Sequence, residues 1–433
     1  MDAEGAERSM QIRERADRAI AELKGYAFSR TARQTVTLYA SQILFIALGI
    51  VTSSLNTRIL GPKDYGVLAF FGTVTGFSVL FFRFGLFSSG GLLLAQEKEE
   101  SKERELIGAL VLIGLGVGLS FSLFILASSF FIDQIFHTNV DQILRILSPL
   151  LIALPFQLLI PQIGRGTNKI THLAWFNILP KGLYIIGLLI LLSFSYANVV
   201  VLILLNLIAT IIAIATIIYS FKPSFNNLRI NLEKIWAKTK EYGIHLYWGQ
   251  IADQSTYKLD GVFISYFVNT TQLGFYSLAN ALTSPLAMLS QSLSTSLFKG
   301  FASKERIPRR VIQLNFLWLL AGAVGLVLLG RFIVVLLFTD KFLPVVPLIL
   351  PLALAAFFQG MYQPYSMFFG AQGKGKWKRN MSIVASLINV IGNVILVPAW
   401  GALGAAVASF LSRAVSYALH IQYYRRFLRE DRK

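Results

Sequence analysis

Three polar side chains recur on one face of a predicted helix whose opposite face carries Ile251, Leu259 and Val262. Asp253, Tyr257 and Asp260 are spaced i, i+4 and i+7 within the stretch LYWGQIADQSTYKLDGVFISYF, which places them on one side of a helix. The stretch has about the length that crosses a bilayer, where each charge facing lipid costs roughly 2.5–3.5 kcal/mol. The two carboxylates should therefore face water or protein. There they either bind a proton or Na⁺ for ion coupling, or pair with cations from other helices.

Basic residues within or beside apolar segments are candidates for a cationic cavity. A guanidinium group pairs with phosphate oxygens in a bidentate manner, and a Lys ammonium acts on them as a point charge. The candidates are Arg58, Arg83, Lys181, Lys258 and Arg331. Arg58 and Arg331 lie close to the ends of their segments and alternatively extend to the membrane interface. Lys181 is almost equally suited to a structural contact.

Uncharged polar residues cluster in the same segments and predict the lining of a pathway through the membrane. The alternative is that such side chains join neighbouring helices by hydrogen bonds. The predicted lining residues are Gln42, Asn56, Gln250, Gln254, Tyr257 and Asn280.

Motifs typical of enzymes and metal sites are missing from the sequence. There is no cysteine, the four histidines have no metal-ligand spacing, and no phosphate-binding loop of the G-x-x-x-x-G-K-[ST] type occurs. No pair of a nucleophile and a base is evident. We therefore expect no catalytic activity, no cofactor and no bound metal, and any driving force would come from Na⁺, H⁺ or the cargo's own gradient.

The composition places the chain among integral membrane proteins. Of 433 residues, 55% are hydrophobic and only 14% are charged, against about 25% charged residues in soluble domains. Hydropathy predicts twelve membrane-spanning helices. They lie near residues 34–56, 65–95, 106–131, 143–164, 171–194, 197–220, 243–268, 272–298, 311–337, 344–370, 380–398 and 401–424.

The distribution of basic residues predicts the orientation in the membrane. Of the 40 Lys and Arg residues, 31 fall in the two termini and in alternate connections, and the intervening connections contain only Arg58, Lys63 and Lys341. Because cytoplasmic loops are enriched in Lys and Arg, both termini should be cytoplasmic. The net charge of +18 thus reflects topology, and no nucleic-acid partner is expected.

The second half of the chain repeats the first. A shift of 208 residues places LYASQI (38–43) on LYWGQI (246–251) and Gly66 on Gly274, and FQLLIP is echoed later by FQGMYQP. A six-plus-six repeat in one orientation predicts two lobes related by a pseudo-two-fold axis along the membrane normal, with a central cavity between them. The predicted parts are a cytoplasmic amphipathic segment (1–33), an N-terminal lobe (34–220), a cytoplasmic linker (221–242), a C-terminal lobe (243–424) and a basic tail (425–433).

Three segments carry a resemblance to a known family. RILGPKDYGVLAF, LDGVFISYFVNTTQLGFYSLANAL and VPAWGALGAAVASFLSRAVSYALH resemble the polysaccharide (O-antigen type) flippases of lipid-linked oligosaccharides. These belong to the superfamily that includes the multidrug and toxin extrusion exporters and the lipid II flippase. The resemblance extends from Thr35 to Arg425. One departure is Arg83 in FRFGL, where many relatives have a small polar or acidic residue.

The resemblance implies a function. It predicts alternating access that moves a polyprenyl-pyrophosphate-linked oligosaccharide from the cytoplasmic to the outer leaflet of the cell membrane, for polysaccharide biosynthesis. Expected partners are the lipid-linked glycan, membrane lipids and, at the next steps, a glycan polymerase or glycosyltransferases. The alternatives are an ion-coupled small-molecule exporter of the same superfamily and a lipid II flippase. A membrane polymerase or glycosyltransferase is a remote alternative, because such enzymes need larger outer loops than this chain has.

Overall fold

The protein is helical throughout the part that the structure describes. The computed structural model covers residues 30–430 except 137, 139, 194–196, 298–300 and 302–304, and it gives the backbone alone for 30–36, 38, 39, 245, 246, 248–250, 252–257 and 430. The helices are α1 (Arg30–Ser78), α2 (Leu86–Gln96), α3 (Glu100–Phe136), α4 (Asp141–Leu147), α5 (Phe156–Gly166), α6 (Ile170–Ser193), α7 (Val199–Ser220), α8 (Leu228–Lys238), α9 (Ile244–Phe267), α10 (Thr270–Ser296), α11 (Arg309–Phe338), α12 (Val346–Ala371), α13 (Gly375–Trp400) and α14 (Ala402–Glu430). The predicted amphipathic segment 1–33 lies almost wholly outside these residues.

The predicted spans correspond to helices of the structure. Among the described residues, nine helical stretches are long and apolar enough to cross a membrane. One of them, Ala40–Arg83, contains the first predicted span and most of the second. Helices α9 and α10 have 24 and 27 residues, which is sufficient length, but they are more polar than the other spans. An all-α integral membrane protein is confirmed.

The first two spans are separated by a break at Gly61. This residue has φ 67° and ψ 177°, and Pro62 follows it directly. Glycine adopts positive φ without the Cβ clash of other residues, and proline suits the first turn of a helix, where its missing N–H is not needed. The Gly-Pro pair therefore ends one helical segment and starts the next inside α1.

The second span is broken again deeper along its length. After a 3₁₀ segment at Val79–Arg83, Phe84 and Gly85 adopt left-handed conformations with φ 46° and 72°. A Cβ on Gly85 would lie 2.3 Å from the carbonyl oxygen of Gly243. Glycine is thus required at this position for both its conformation and its close contact with the chain just before α9.

Glycines that the sequence repeat relates also contact each other in space. A Cβ on Gly66 would lie 2.3 Å from the carbonyl oxygen of Thr270, and a Cβ on Gly274 would lie 3.0 Å from the Cα of Gly66. A two-fold axis brings a residue against its own equivalent only where the axis passes between them. The Gly66–Gly274 contact, between α1 and α10, is therefore where an axis relating the two halves would run.

The linker between the halves is attached to the N-terminal half. Helix α8 lies within the predicted linker, 221–242, and buries Ile235 completely. The Asn227 amide donates to Glu105 of α3 at 3.1 Å, and the Asn231 amide also donates to it. A π-helical turn at Thr239–Gly243 then continues directly into α9.

Candidate functional site

A cavity of about 480 Å³ lies inside the N-terminal half. Helices α1, α5, α6 and α7 and the 3₁₀ segment supply most of its walls, and α9 of the other half adds Lys258. Among its lining residues that the structure describes, the charged ones are Arg83 and Lys258, and none is a carboxylate. Walls of low dielectric and one sign of charge focus the field inside a cleft, so this cavity attracts anions.

The break in the second span positions Arg83. The side chain is half-buried and belongs to the last residue of the 3₁₀ segment, immediately before left-handed Phe84 and Gly85. Arg83 therefore lies at an interruption of the helix, with its guanidinium at the cavity. A cation at the end of a helical segment is also favoured by the helix dipole.

Lys258 reaches the same cavity from the C-terminal half. Its Nζ donates to the carbonyl oxygen of Gly76 at 2.5 Å, in the last turn of α1 before the 3₁₀ segment begins. A Cβ at Gly76 would lie only 2.8 Å from this Nζ. Glycine at position 76 thus makes room for an ammonium that joins the two halves in the middle of the protein.

Polar groups in the cavity include one predicted residue and two that sequence reasoning missed. Asn56 lines the cavity and accepts a hydrogen bond from the buried Tyr184 hydroxyl at 2.7 Å. Gln157 and Asn206 line it too. Asn206 is the one amide in the apolar run VLILLNLIAT, and a lone amide of this kind is a signal that a search for intramembrane polar residues would have found.

Three of the five predicted cavity cations do not line this cavity. Arg58 donates to the carbonyl oxygen of Leu336 at 2.7 Å, near the end of α11, so it joins the two halves instead. Lys181 donates to the Phe45 carbonyl oxygen at 3.0 Å and lies 3.4 Å from the Phe45 ring centroid, which makes it a contact between α1 and α6. Arg331 is exposed on α11.

A second cavity, of about 770 Å³, lies between the C-terminal part of α10 and helices α1, α5 and α6 of the N-terminal half. Gln42 lines it and accepts a hydrogen bond from the Ser292 hydroxyl at 2.9 Å. Arg165, in the last turn of α5 and next to a connection that is predicted to be cytoplasmic, also lines it. The predicted lining residue Asn280 is half-buried on α10 and lines neither of these two cavities.

Asp260 lies in the interior of the C-terminal half. Its carboxylate is 1% exposed and accepts hydrogen bonds from the Tyr276 hydroxyl at 2.5 Å, the Ser409 hydroxyl at 2.6 Å and the Asn393 amide at 2.8 Å. These donors come from α10, α14 and α13, so the carboxylate connects four helices. The sequence singled out Asp260 but none of its three partners, which are distant along the chain.

Two asparagine side chains lie beside the same carboxylate. The buried Oδ1 of Asn393 makes no hydrogen bond to any described residue, and the Asn393 amide nitrogen also donates to the Oδ1 of Asn389 at 3.2 Å. Carboxylate, amide and hydroxyl oxygens are ligands for hard cations. Within the described part of the chain there is no cluster of three or more His, Cys, Asp or Glu that would hold a metal ion.

For the other predicted site residues of α9, the structure describes the backbone alone. The side chains of Asp253, Gln250, Gln254 and Tyr257 lie outside the described residues, although their backbone is helical.

Comparisons with known proteins identify the family and the fold. A family model described as polysaccharide biosynthesis protein matches residues 55–347. A probable low-salt glycan biosynthesis flippase, Agl15, of Haloferax volcanii is 22% identical over 414 residues, which are 92% of this chain and 84% of that protein.

Solved structures share the fold at low identity. The lipid II flippase MurJ in an inward closed conformation has a TM-score of 0.68 at 17% identity, with 90% of this chain and 87% of that chain covered. An inward-facing multidrug resistance MATE transporter of the MOP superfamily also has a TM-score of 0.68, at 16% identity, with 90% and 95% covered. Since the family model covers more than half of the chain, the protein belongs to the polysaccharide biosynthesis protein family, and it shares the fold of these two solved membrane proteins.

Proposed function

We propose that this protein moves a polyprenyl-pyrophosphate-linked oligosaccharide from the cytoplasmic to the outer leaflet by alternating access. The observation that carries the proposal is the N-terminal cavity, in which Arg83 and Lys258 are the charged residues among the described lining. Moving an ionised pyrophosphate through hydrocarbon without compensation costs tens of kcal/mol by Born estimates. Fixed cations lower this barrier while the polyprenyl tail stays in the lipid.

The number of cations also suits a cargo that must leave again. Charge-assisted hydrogen bonds to phosphate oxygens are about twice as strong as neutral ones, so many of them would trap the pyrophosphate. Two cations, one from each half, provide binding that domain movement can weaken. When the halves separate, Lys258 moves away from Arg83 and the cargo is released.

A cation exporter on the same fold is the main alternative. Such a transporter needs carboxylates in its cavity, whereas the described lining of the N-terminal cavity has none. A lipid II flippase would share the need for pyrophosphate-binding cations, so the glycan itself must distinguish these two cargoes. A substrate of this chemistry is produced by glycosyltransferases at the cytoplasmic face and consumed by a polymerase or glycosyltransferase outside. We accordingly place the protein in the cytoplasmic membrane with both termini inside.

The test is a direct flipping measurement with purified protein in proteoliposomes. We expect the protein to expose a polyprenyl-pyrophosphate oligosaccharide to an added glycan-modifying enzyme faster than protein-free vesicles do. Unlabelled cargo should compete, and lipophilic cations should not. Efflux of a cationic dye together with no movement of the pyrophosphate lipid would reject the proposal in favour of an exporter.

We further propose that a cation bound beside Asp260 couples transport to a Na⁺ or H⁺ gradient. Support comes from the buried carboxylate, whose three described hydrogen bonds come from neutral side chains, and from the Oδ1 of Asn393, which has no hydrogen-bond partner in the described part of the chain. Because the group connects α9 with α10, α13 and α14, a change in its charge would alter how these helices pack. The alternative is a structural role, in which Asp260 serves only to hold the helices together.

The substitution Asp260→Asn distinguishes an ion-coupling role of this carboxylate from a purely structural one. We expect the stimulation of flipping by an imposed Na⁺ or H⁺ gradient to be lost, while flipping without a gradient stays within about twofold, because the amide retains hydrogen-bonding atoms of similar size. Ser265→Ala is the matched control, since this buried hydroxyl of α9 donates to the Gly261 carbonyl oxygen. An unchanged gradient response accompanied by a lower melting temperature would assign Asp260 the structural role.

A further inference from the structure

A third cavity, of about 250 Å³, lies inside the C-terminal half. Helices α12, α13 and α14 enclose it, and Gln291 of α10 lies at its edge. All of its lining residues except Met367 and Ala385 carry hydrogen-bonding side chains, and no carboxylate is among those described. Lys378 is the lone Lys or Arg in the described lining, so this chamber is polar without being strongly charged.

Several of these polar groups are not explained by helix packing. A buried helical serine usually donates to a backbone carbonyl, as Ser412 does to the Ala385 oxygen at 2.7 Å. Gln363 is 7% exposed and lines the chamber, yet its amide makes no hydrogen bond to any residue that the structure describes. The Gln363 amide is therefore available to a ligand or to water.

The same is true of three further residues that line the chamber. Gln359, Ser366 and Ser382 are half-buried, and within the described ranges their side chains make no hydrogen bond either. The chamber thus presents amides and hydroxyls, each able to donate and to accept. A ligand that matches them carries closely spaced neutral hydroxyl groups, which is the chemistry of a sugar.

Two aromatic rings close one side of the chamber. Tyr362 and His420 both line it, and their rings stack at 4.9 Å between centroids. His420 also stacks on Phe369, at 6.1 Å between centroids, so these rings form a packed apolar wall on that side of the chamber. A volume of about 250 Å³ is below the roughly 300–1,000 Å³ of sites for drug-sized ligands, so the chamber suits a small sugar unit.

The chamber adjoins the space between the halves. Gln291 lines both the chamber and the 770 Å³ cavity beside α10 that is lined by Gln42 and Arg165. A cargo bound in that cavity would therefore lie beside the chamber. We propose that the chamber binds a sugar unit of the transported glycan through Gln363 and the neighbouring amide and hydroxyl groups, a proposal that rests on the proposed function.

The test compares two cargoes that differ only in their sugars. Proteoliposomes receive either polyprenyl pyrophosphate without sugar or the same lipid with the glycan extracted from the host's own lipid-linked oligosaccharides. For Gln363→Leu, we expect flipping of the glycan cargo to fall about two- to tenfold, as for the loss of one or two hydrogen bonds. Flipping of the bare polyprenyl pyrophosphate should stay unchanged.

Two further variants guard against a folding effect. Ser382→Ala removes a chamber hydroxyl with little change of volume and should reduce flipping of the glycan cargo alone. Ser412→Ala removes a hydroxyl that is already bonded to the backbone and should not distinguish the two cargoes. An equal effect of Gln363→Leu on both cargoes, or no effect on either, would overturn the sugar chamber. A wild-type protein that moves neither cargo would overturn the proposed function and the chamber with it.

Discussion

Arg83→Ala is expected to reduce flipping of a polyprenyl-pyrophosphate cargo roughly ten- to a hundredfold. Hydrogen bonds to charged groups contribute about 1.5–3 kcal/mol, and each 1.4 kcal/mol corresponds to a factor of ten. The loss should be the same with and without the glycan, because Arg83 acts on the pyrophosphate. Flipping of fluorescent or enzymatically accessible cargo in proteoliposomes measures it.

Two other arginine variants sharpen this prediction. Arg83→Lys should give an intermediate rate, because lysine keeps the charge and loses the bidentate geometry. Arg331→Ala is the matched control, since this arginine is also within a predicted span but is exposed on α11 and does not line the N-terminal cavity. A wild-type rate for Arg83→Ala, or an equal loss for Arg331→Ala, would remove Arg83 from the mechanism.

Substitutions at Arg83 and in the chamber should affect the flipping of the two cargoes differently. Loss of the Arg83 guanidinium should impair the bare polyprenyl pyrophosphate and the glycan cargo alike, whereas Gln363→Leu should impair only the latter. The same pair of cargoes thus assigns the anionic and the neutral part of the substrate to different halves of the protein. A conventional activity assay with the complete cargo would not separate these contributions.

Gly66→Ala is expected to be the more damaging of the two glycine substitutions at the Gly66–Gly274 contact. The new methyl group would lie 2.3 Å from the Thr270 carbonyl oxygen, which is backbone and has little freedom to move. Overpacking of this kind costs about 1–3 kcal/mol or more. We expect a melting temperature lower by several degrees in detergent. We also expect increased labelling of cysteines introduced at those ends of the α1 and α10 spans that are predicted to face outside.

Other glycines supply the comparison. Gly274→Ala should be milder, since its Cβ would lie 3.0 Å from the Gly66 Cα. Gly116→Ala in α3 has nothing within 4 Å and should stabilise the helix by about 1 kcal/mol. If the Gly66→Ala protein melts at or above the wild-type temperature with unchanged cysteine labelling, the Gly66–Gly274 contact does not hold α1 and α10 together on this side.

The sequence repeat and the three-dimensional contact support each other at this point. A shift of 208 residues in the sequence relates Gly66 to Gly274, and the structure places the two against each other. The repeat alone predicts two similar lobes and an axis, but it does not identify which residues lie on that axis. Only the packing of α1 against α10 identifies this pair.

Cavity residues were harder to predict than spans. The number and positions of the spans follow from runs of apolar residues, which the cost of exposing polar groups to lipid makes obligatory. Arg58, Arg83, Lys181 and Arg331 are similar at the sequence level, because each is a cation in or near an apolar run. Their surroundings differ, and Arg83 alone of these four lines the N-terminal cavity. Hydropathy contains no information about which neighbouring helix a side chain meets.

The amino-acid sequence by itself determined that this is a helical membrane protein, and it predicts where the spans lie and that the halves are related, because each of these follows from local hydropathy or internal similarity. The tertiary structure alone decided which cations share a cavity, since Arg83 and Lys258 belong to different halves and meet only after a helix break and a close contact bring them together. It also decided that Asp260 is enclosed by Tyr276, Asn393 and Ser409. The physical reason is that lipid acts on every span in the same way, whereas the contacts between helices depend on residues far apart in the chain.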